Sequence, residues 1–429
     1  MIKMNKPNII LIVVDTMRKD AISLYNQNVK TPNIELLAKD STVFNNAISA
    51  SPWTVPSHAS IFTGKYPSEH NIHETKTLRD KDLMGKMNNV NYKTIAEILK
   101  NSGYNTIGLS ANVNIVPGSG FDKGFNFFEY IKNNYKIIIE DVSNFNQNNN
   151  IINKFRDYLK DKKIDTINMF RLYKLSYNKF NGYPFDKGGY DITLKLKNIS
   201  LEMPFFLFIN FMEMHEPYLK NYRKEPDGLY NLINVNKNKK IDQIITKYYK
   251  QSEIIDNYIG YLVEWLKKNE IYDKTKIIFT SDHGQSINSQ YYGHGIFLSD
   301  ELIKVPLIIK NGDKQVNNNY ISLTELYNII INFSENIDNI KINNDVYSET
   351  FGLNTGNYES DKYNIRRLLY IKNNYKLIIN ENNIIETFQK NDKNLIINKN
   401  EEIINNMLNE MIIFNGNDNF IDLKKINFQ

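Results

Sequence analysis

Four stretches carry the residues that could do chemistry. NIILIVV, Asn8 to Val14, runs into Asp15; FFLFINFMEM runs into His215-Glu216-Pro217; KIIFTS, Lys276 to Ser281, runs into Asp282-His283-Gly284. SPWTVPSHASIFTG, Ser51 to Gly64, sets the Thr54 hydroxyl just ahead of Pro56, Ser57 and His58. Oxygen and imidazole donors without thiolate suit Mn²⁺, Mg²⁺ or Zn²⁺. Asp15, Asp282 and His283 would supply three ligands, and a hydroxyl could take a fourth position. Thr54 is the obvious donor, because a divalent cation lowers a hydroxyl's pKa and makes it a nucleophile. Locally, the same threonine reads as a helix cap, with proline in the first turn and glycine at the exit. Thr54 is therefore expected to be both cap and nucleophile, at the positive end of a helix.

The elements must bring these groups together. The four apolar runs Asn8 to Val14, Thr106 to Ser110, Phe205 to Phe211 and Lys276 to Ser281 do not alternate with polar residues, as expected of strands covered on both faces. Helical patterns at Asn33 to Lys39, Tyr92 to Asn101 and Ile241 to Lys268 separate them, which argues an α/β fold. A carboxylate after one strand is an ordinary turn residue. Polar groups after three strands, all heading for one edge, match the ligand crevice beyond the carboxyl ends of a parallel sheet. Residues 133–197 are long, polar and aromatic, and read as an insertion or cap over the active site of a catalytic domain spanning 1–342. Residues 343–429 read as a small α+β tail: two strands around an Asn-Asn turn, then IIETF and a helix near Glu401 to Met411. The Asn-rich runs near Asn146 and Asn317 read as loops or insertions.

The 429 residues are 41% hydrophobic and 24% charged, ordinary for a globular protein. A net charge of +5 from 53 basic and 48 acidic residues fits an anionic small substrate, and no arginine-rich arm points to nucleic acid. The chain has no cysteine, which removes disulfides and thiolate chemistry. No apolar run is long enough to span a membrane and no signal-peptide pattern is present, so a cytoplasmic protein is expected.

Over most of its length the chain resembles the sulfatase-like branch of the alkaline phosphatase superfamily. NIILIVVDTMRKD, the segment from Thr31 to Ile72, FLFINFMEMHEPY, the segment from Asp256 to Gln285 and GHGIFLSDELIKVPLII match family blocks in order. The resemblance implies an alkaline-phosphatase-like three-layer sandwich, a mostly parallel central sheet and a small C-terminal α+β subdomain. The departures bear on the reaction. Sulfatases carry Cys or Ser where Thr54 stands and oxidise it to formylglycine, so that cofactor is not expected here. The family's Arg after Pro-Ser is His58, its Asp-Asp pair is Asp15-Thr16, its Asp-Asn pair is Asp282-His283, and Asn112 stands near its missing Gly-Lys. These changes resemble threonine-nucleophile phosphodiesterases and phosphotransferases of the single-metal type, with Mn²⁺ the first expectation and Zn²⁺, Mg²⁺ or Ca²⁺ the alternatives.

The implied reaction is double displacement on a phosphate (di)ester through phosphorylated Thr54. His215 and His294 are the candidates for contacting the phosphoryl oxygens or protonating the leaving group. His58 and Lys65 are further candidates, while His70 and His73 read as surface residues. The substrate is expected to be an anionic small-molecule, glycan-linked or lipid-linked ester. Two alternatives stand beside this: a sulfatase or phosphonate monoester hydrolase using the same site, and a catalytically silent member that binds a glycan or protein partner.

Overall fold

The computed structural model describes residues 6–75, 83, 85–131, 186–199, 201–218, 238–288, 291–312, 314–338, 340, 342–352, 365–397, 400–416 and 420–426. In chain order the first strands are β1 (Asn8–Val14), β2 (Ser41–Ile48), β3 (Asn105–Ser110), β4 (Phe127–Tyr130), β5 (Phe205–Phe211) and β6 (Thr275–Ser281). A small hairpin, β7 (Ser286–Ile287) with β8 (Tyr292–Gly293), precedes β9 (Lys304–Lys310) and β10 (Gln315–Ser322). The central sheet has eight strands in the order β10-β2-β9-β6-β1-β5-β3-β4. Its pairings are parallel except where β9 runs antiparallel to β2 and to β6.

The period-2 geometry of the strands builds three layers. Ile10, Ile12 and Val14 of β1, with Leu207 and Ile209 of β5, face the helices Pro32–Ala38, Gly189–Asn198 and Asn238–Lys268. Ile9, Leu11 and Val13, with Phe206 and Phe208, face the opposite way against the helices Thr54–Thr63, Ile95–Asn101 and Glu325–Ser334. Every residue of β1 and β5 is buried, which is why neither run alternates. The helix expected from Tyr92 starts later because Thr94 caps it: Thr94 Oγ1 accepts from the Glu97 amide at 3.2 Å, and Glu97 Oε2 accepts from the Thr94 amide at 2.9 Å.

The tail forms a second, five-stranded antiparallel sheet of β11 (Val346–Thr350), β12 (Arg367–Lys372), β13 (Tyr375–Asn380), β14 (Ile385–Lys390) and β15 (Lys393–Asn394). Asn373 and Asn374 turn between β12 and β13 with φ of 49° and 63°, the two left-handed positions of a type I′ turn. The helix Glu401–Phe414 covers one face, while Leu369, Ile371 and Ile378 pack the other against Ile48, Leu302 and Ile303 of the main body.

Two expectations change. Asn317 lies inside β10, whose register shifts between Asn317 and Tyr320, so a bulged edge strand replaces the expected loop. Most of the expected 133–197 insertion, and the Asn146 loop with it, lies outside the described residues. Its last part is the helix Gly189–Asn198, whose Ile192 and Leu196 join the core beneath β5, so this portion is a layer of the sandwich rather than a cap.

Candidate active site

β6, β1 and β5 are adjacent and parallel, with Val14 level with Ser281 on one side and Phe211 on the other. Asp15, Asp282-His283 and the turn carrying His215-Glu216 therefore leave the same edge side by side. The helix Thr54–Thr63 brings its first residue to that edge. Trp53, in extended conformation, is the N-cap and Thr54 is the first helical residue, so the expected cap role is corrected. The Thr54 hydroxyl lies 3.3 Å from Asp15 Oδ2 and 3.2 Å from His283 Nε2. Gly64 does close the helix in the left-handed region, at φ 68°.

The chain fixes each group around that hydroxyl. Asn112 Nδ2 donates to Asp15 Oδ2 at 2.5 Å, and Asp15 Oδ1 is buried without a partner. The amides of Thr16 and His283 donate to Asp282 Oδ1 at 3.1 and 2.8 Å, leaving Asp282 Oδ2 buried and unpartnered. Thr16 reaches this position at φ 58°, a strained setting for a β-branched residue. His283 Nδ1–H donates to the Gly284 carbonyl at 2.8 Å, so Nε2 carries the lone pair towards Thr54. Ser57 Oγ donates to the Asp282 carbonyl at 2.7 Å and ties the helix to this loop. Burial, then the neighbouring Asp282, push the Asp15 carboxyl well up; burial raises Asp282 to about 7 and holds His283 neutral.

One donor atom from each of Asp15, Asp282 and His283 lies within 4.8 Å of the others. Two orphaned carboxylate oxygens and a bare imidazole nitrogen, all buried, fit a divalent cation with oxygen and nitrogen ligands. The sequence-expected ligand set is thus brought together, with Thr54 against it.

Beside it lies a second cluster, in which His215, Glu216 and His294 also offer donors within 4.8 Å of one another. The β7–β8 hairpin carries His294 back next to His283, with ring centroids 4.7 Å apart, and His215 is 5.2 Å from His294. Gly293 and Gly295, at φ 129° and 97°, provide the backbone turn on either side of His294 that residues with side chains rarely adopt. Lys187 Nζ donates to the carbonyls of Glu213 and His215 and pins the turn carrying His215. Glu216 is the residue that sequence reasoning missed, although its place directly after His215 at a strand end is a usable signal.

The remaining candidates separate. His58 is fully buried, donates from Nδ1 to the Thr54 carbonyl at 3.0 Å and lies 3.5 Å from Asp282 Oδ2, with burial lowering its pKa to about 4. It braces the first turn of the helix under Thr54. Lys65 follows the opposite end of the helix and pairs with Glu69 at 3.0 Å, so the structure does not bring it to Thr54. The surface expectation is corrected for His70, while His73 is half-buried. His70 is buried against Ser60 at 3.0 Å, and His73 stacks on Phe351 at 3.6 Å.

Over 326 residues the chain is 27% identical to an ulvan-active sulfatase of Formosa agariphila, covering 71% of this chain and 56% of that protein. It is also 27% identical to an arylsulfatase of Clostridium perfringens, covering 65% of this chain and 63% of the relative. The chain thus spans little more than half the length of these curated relatives. Its fold matches that of the phosphonate monoester hydrolase from Silicibacter pomeroyi with a TM-score of 0.66, at 15% identity and 96% coverage of both chains. The sulfatase family model matches residues 7–334, and with the alkaline-phosphatase-like sandwich the chain belongs to the sulfatase family.

Proposed function

We propose that this chain is a metal-dependent ester hydrolase or transferase acting on phosphate (di)esters through a covalent Thr54 intermediate. The observation that supports it is the Thr54 hydroxyl, unused in capping and set between Asp15 and His283 beside two orphaned carboxylate oxygens. With no cysteine in the chain and threonine at this position, the reaction uses an unmodified hydroxyl. A divalent cation held by Asp15, Asp282 and His283, with Mn²⁺ the first candidate, would supply positive charge to the Thr54 oxygen and to the ester.

Thr54 Oγ1 forms a bond to phosphorus as the bond to the leaving oxygen breaks, and its proton has an acceptor in Asp15 Oδ2. The leaving oxygen takes a proton from the His215 and His294 side of the crevice. Water or an acceptor alcohol then displaces Oγ1 from phosphorus, and Thr54 regains its proton. Asn112 holds Asp15, and His58 holds the backbone of the nucleophile. The helix N-terminus adds favourable potential for the anionic ester.

A second reading, hydrolysis of a sulfate or phosphonate ester by the same residues, is supported by the relatives named as sulfatases and by the fold shared with a phosphonate monoester hydrolase. Those names also favour an anionic glycan as substrate. The test is turnover of bis-p-nitrophenyl phosphate, p-nitrophenyl phosphate, p-nitrophenyl phenylphosphonate and p-nitrophenyl sulfate with Mn²⁺, by wild type and Thr54→Ala. Diester turnover lost in the variant is the expected result. Preferential sulfate or phosphonate turnover would establish the second reading, and turnover surviving in Thr54→Ala would refute the nucleophile.

A further inference from the structure

We propose that Tyr248, on the helix Asn238–Lys268, is a positioning residue that holds the turn after Asp15 in the conformation tying it to Asp282. Its effect on turnover rests on the proposed function; its effect on the turn does not. The observation that carries it is the Tyr248 hydroxyl, which bonds that turn at two points.

The turn is Thr16-Met17-Arg18, directly after Asp15. Each of its amides donates to a distant part of the chain. Thr16 donates to Asp282 Oδ1 at 3.1 Å, Met17 to Ser281 Oγ at 2.8 Å and Arg18 to the Tyr248 oxygen at 2.7 Å. An amide N–H only donates, so the Tyr248 hydroxyl accepts from Arg18 and gives its own proton to the Thr16 carbonyl at 2.8 Å. The first two bonds join the end of β1 to the end of β6. The two made by Tyr248 come from the layer on the opposite face of the sheet from the Thr54 helix.

Thr16 needs such an anchor. It sits at φ 58°, where a β-branched residue is strained and stays only if its surroundings impose the conformation. Asparagine or aspartate can offset that conformation with a local side-chain hydrogen bond. Thr16 Oγ1 is instead buried with no partner among the described residues. Tyr248 is suited to impose it, because it is fully buried and its ring packs edge-on against Tyr218 at 5.6 Å. The Tyr218 hydroxyl donates to the Met214 carbonyl at 2.8 Å, just ahead of His215, so the two tyrosines brace two turns of the crevice. A phenylalanine would fill the same core space; the turn uses the hydroxyl.

The test is Tyr248→Phe, which keeps the ring and removes both bonds. Amide hydrogen exchange is followed residue by residue in full-length protein with Mn²⁺. The Arg18 amide loses its own acceptor, so Thr16 and Met17, whose acceptors remain, are the informative amides. Their exchange should rise at least about 10-fold relative to Ile10 and Ile12 of β1. The kcat for esters should fall about 10- to 100-fold with KM within about twofold of wild type. Exchange unchanged at Thr16 and Met17, or rising equally along β1, would overturn the inference, as would wild-type kcat. Absence of ester turnover in wild type would refute the proposed function and leave exchange to decide the role of Tyr248. Glycine takes φ 58° without strain, so Met17 exchange in Thr16→Gly/Tyr248→Phe should exceed that in Thr16→Gly by no more than about threefold. A rise of about 10-fold there would also overturn the inference, and this pair supplies the reading where Tyr248→Phe alone does not fold.

Discussion

Gly284 follows Asp282-His283, the pair proposed to hold a cation, and a methyl group there should disable the site. A Cβ at Gly284 would lie 2.0 Å from the Glu301 carbonyl oxygen, 3.0 Å from its carbon and 3.1 Å from Arg18 Cγ. The obstacle is backbone, and Gly284 cannot simply retreat, because its amide donates to the Leu302 carbonyl at 2.8 Å. Ordinary contact begins near 3.4 Å, so one of the two stretches of chain must move by more than 1 Å. Overpacking of this kind costs about 1–3 kcal/mol, and a rigid obstacle places Gly284→Ala at the upper end. The larger effect is on the site. The Gly284 carbonyl holds His283 Nδ1 at 2.8 Å, so the displacement carries His283 Nε2 away from Thr54. A misplacement of about 1 Å is worth roughly 10²-fold in rate. Urea unfolding of the Mn²⁺-loaded protein, calorimetric Mn²⁺ titration and ester turnover measure the three effects. A Gly284→Ala protein with wild-type stability and wild-type Mn²⁺ affinity would refute the reasoning.

Three further outcomes are expected. Thr54→Val keeps the shape and loses two long contacts of 3.2 and 3.3 Å, so stability should change by no more than about 2 kcal/mol while turnover falls at least about 10³-fold; parallel melting and kinetic measurements separate a nucleophile from a packing residue. Asn112→Ala removes the 2.5 Å bond that orients Asp15 and should weaken Mn²⁺ binding by roughly 10–100-fold with unchanged circular dichroism. Glu349, 1% exposed, is pushed up to about 7 mainly by burial, against the Ser68 amide and Arg366, which favour its charge. Because the folded-state value lies above the usual 4.5, its contribution is fully present below that pH and is lost as pH rises through about 7, at about 1.4 kcal/mol for each pH unit crossed between the two values. The stability of Glu349→Gln should therefore fall less than that of wild type between pH 5 and 8, and parallel melting profiles would refute this.

The buried strands could be read from the sequence because both faces of the sheet are covered. Burial on both sides writes NIILIVV and FFLFINF as unbroken apolar runs, and the structure places β1 and β5 at those bounds. β10 escaped because it lies at the sheet edge, where Gln315 to Asn319 face solvent and read like a loop. Lys65 misled for a related reason. Sequence proximity to Thr54 says nothing about which end of a helix faces the crevice, and the ten-residue helix Thr54–Thr63 puts Lys65 at the far end.

The residues of the crevice differ in how far the sequence can place them. Asp15 and Asp282-His283 directly follow adjacent parallel strands, so the register that pairs Val14 with Ser281 already sets them together. Glu216 and His294 depend on two later events, a turn pinned by Lys187 and a hairpin that pairs Ser286 with Gly293. That second pairing brings His294 onto Gln285 and, through it, onto Glu216. A strand end can be inferred from a run of apolar residues; a side chain returned by a hairpin of two-residue strands cannot, because such short strands carry no hydrophobic period.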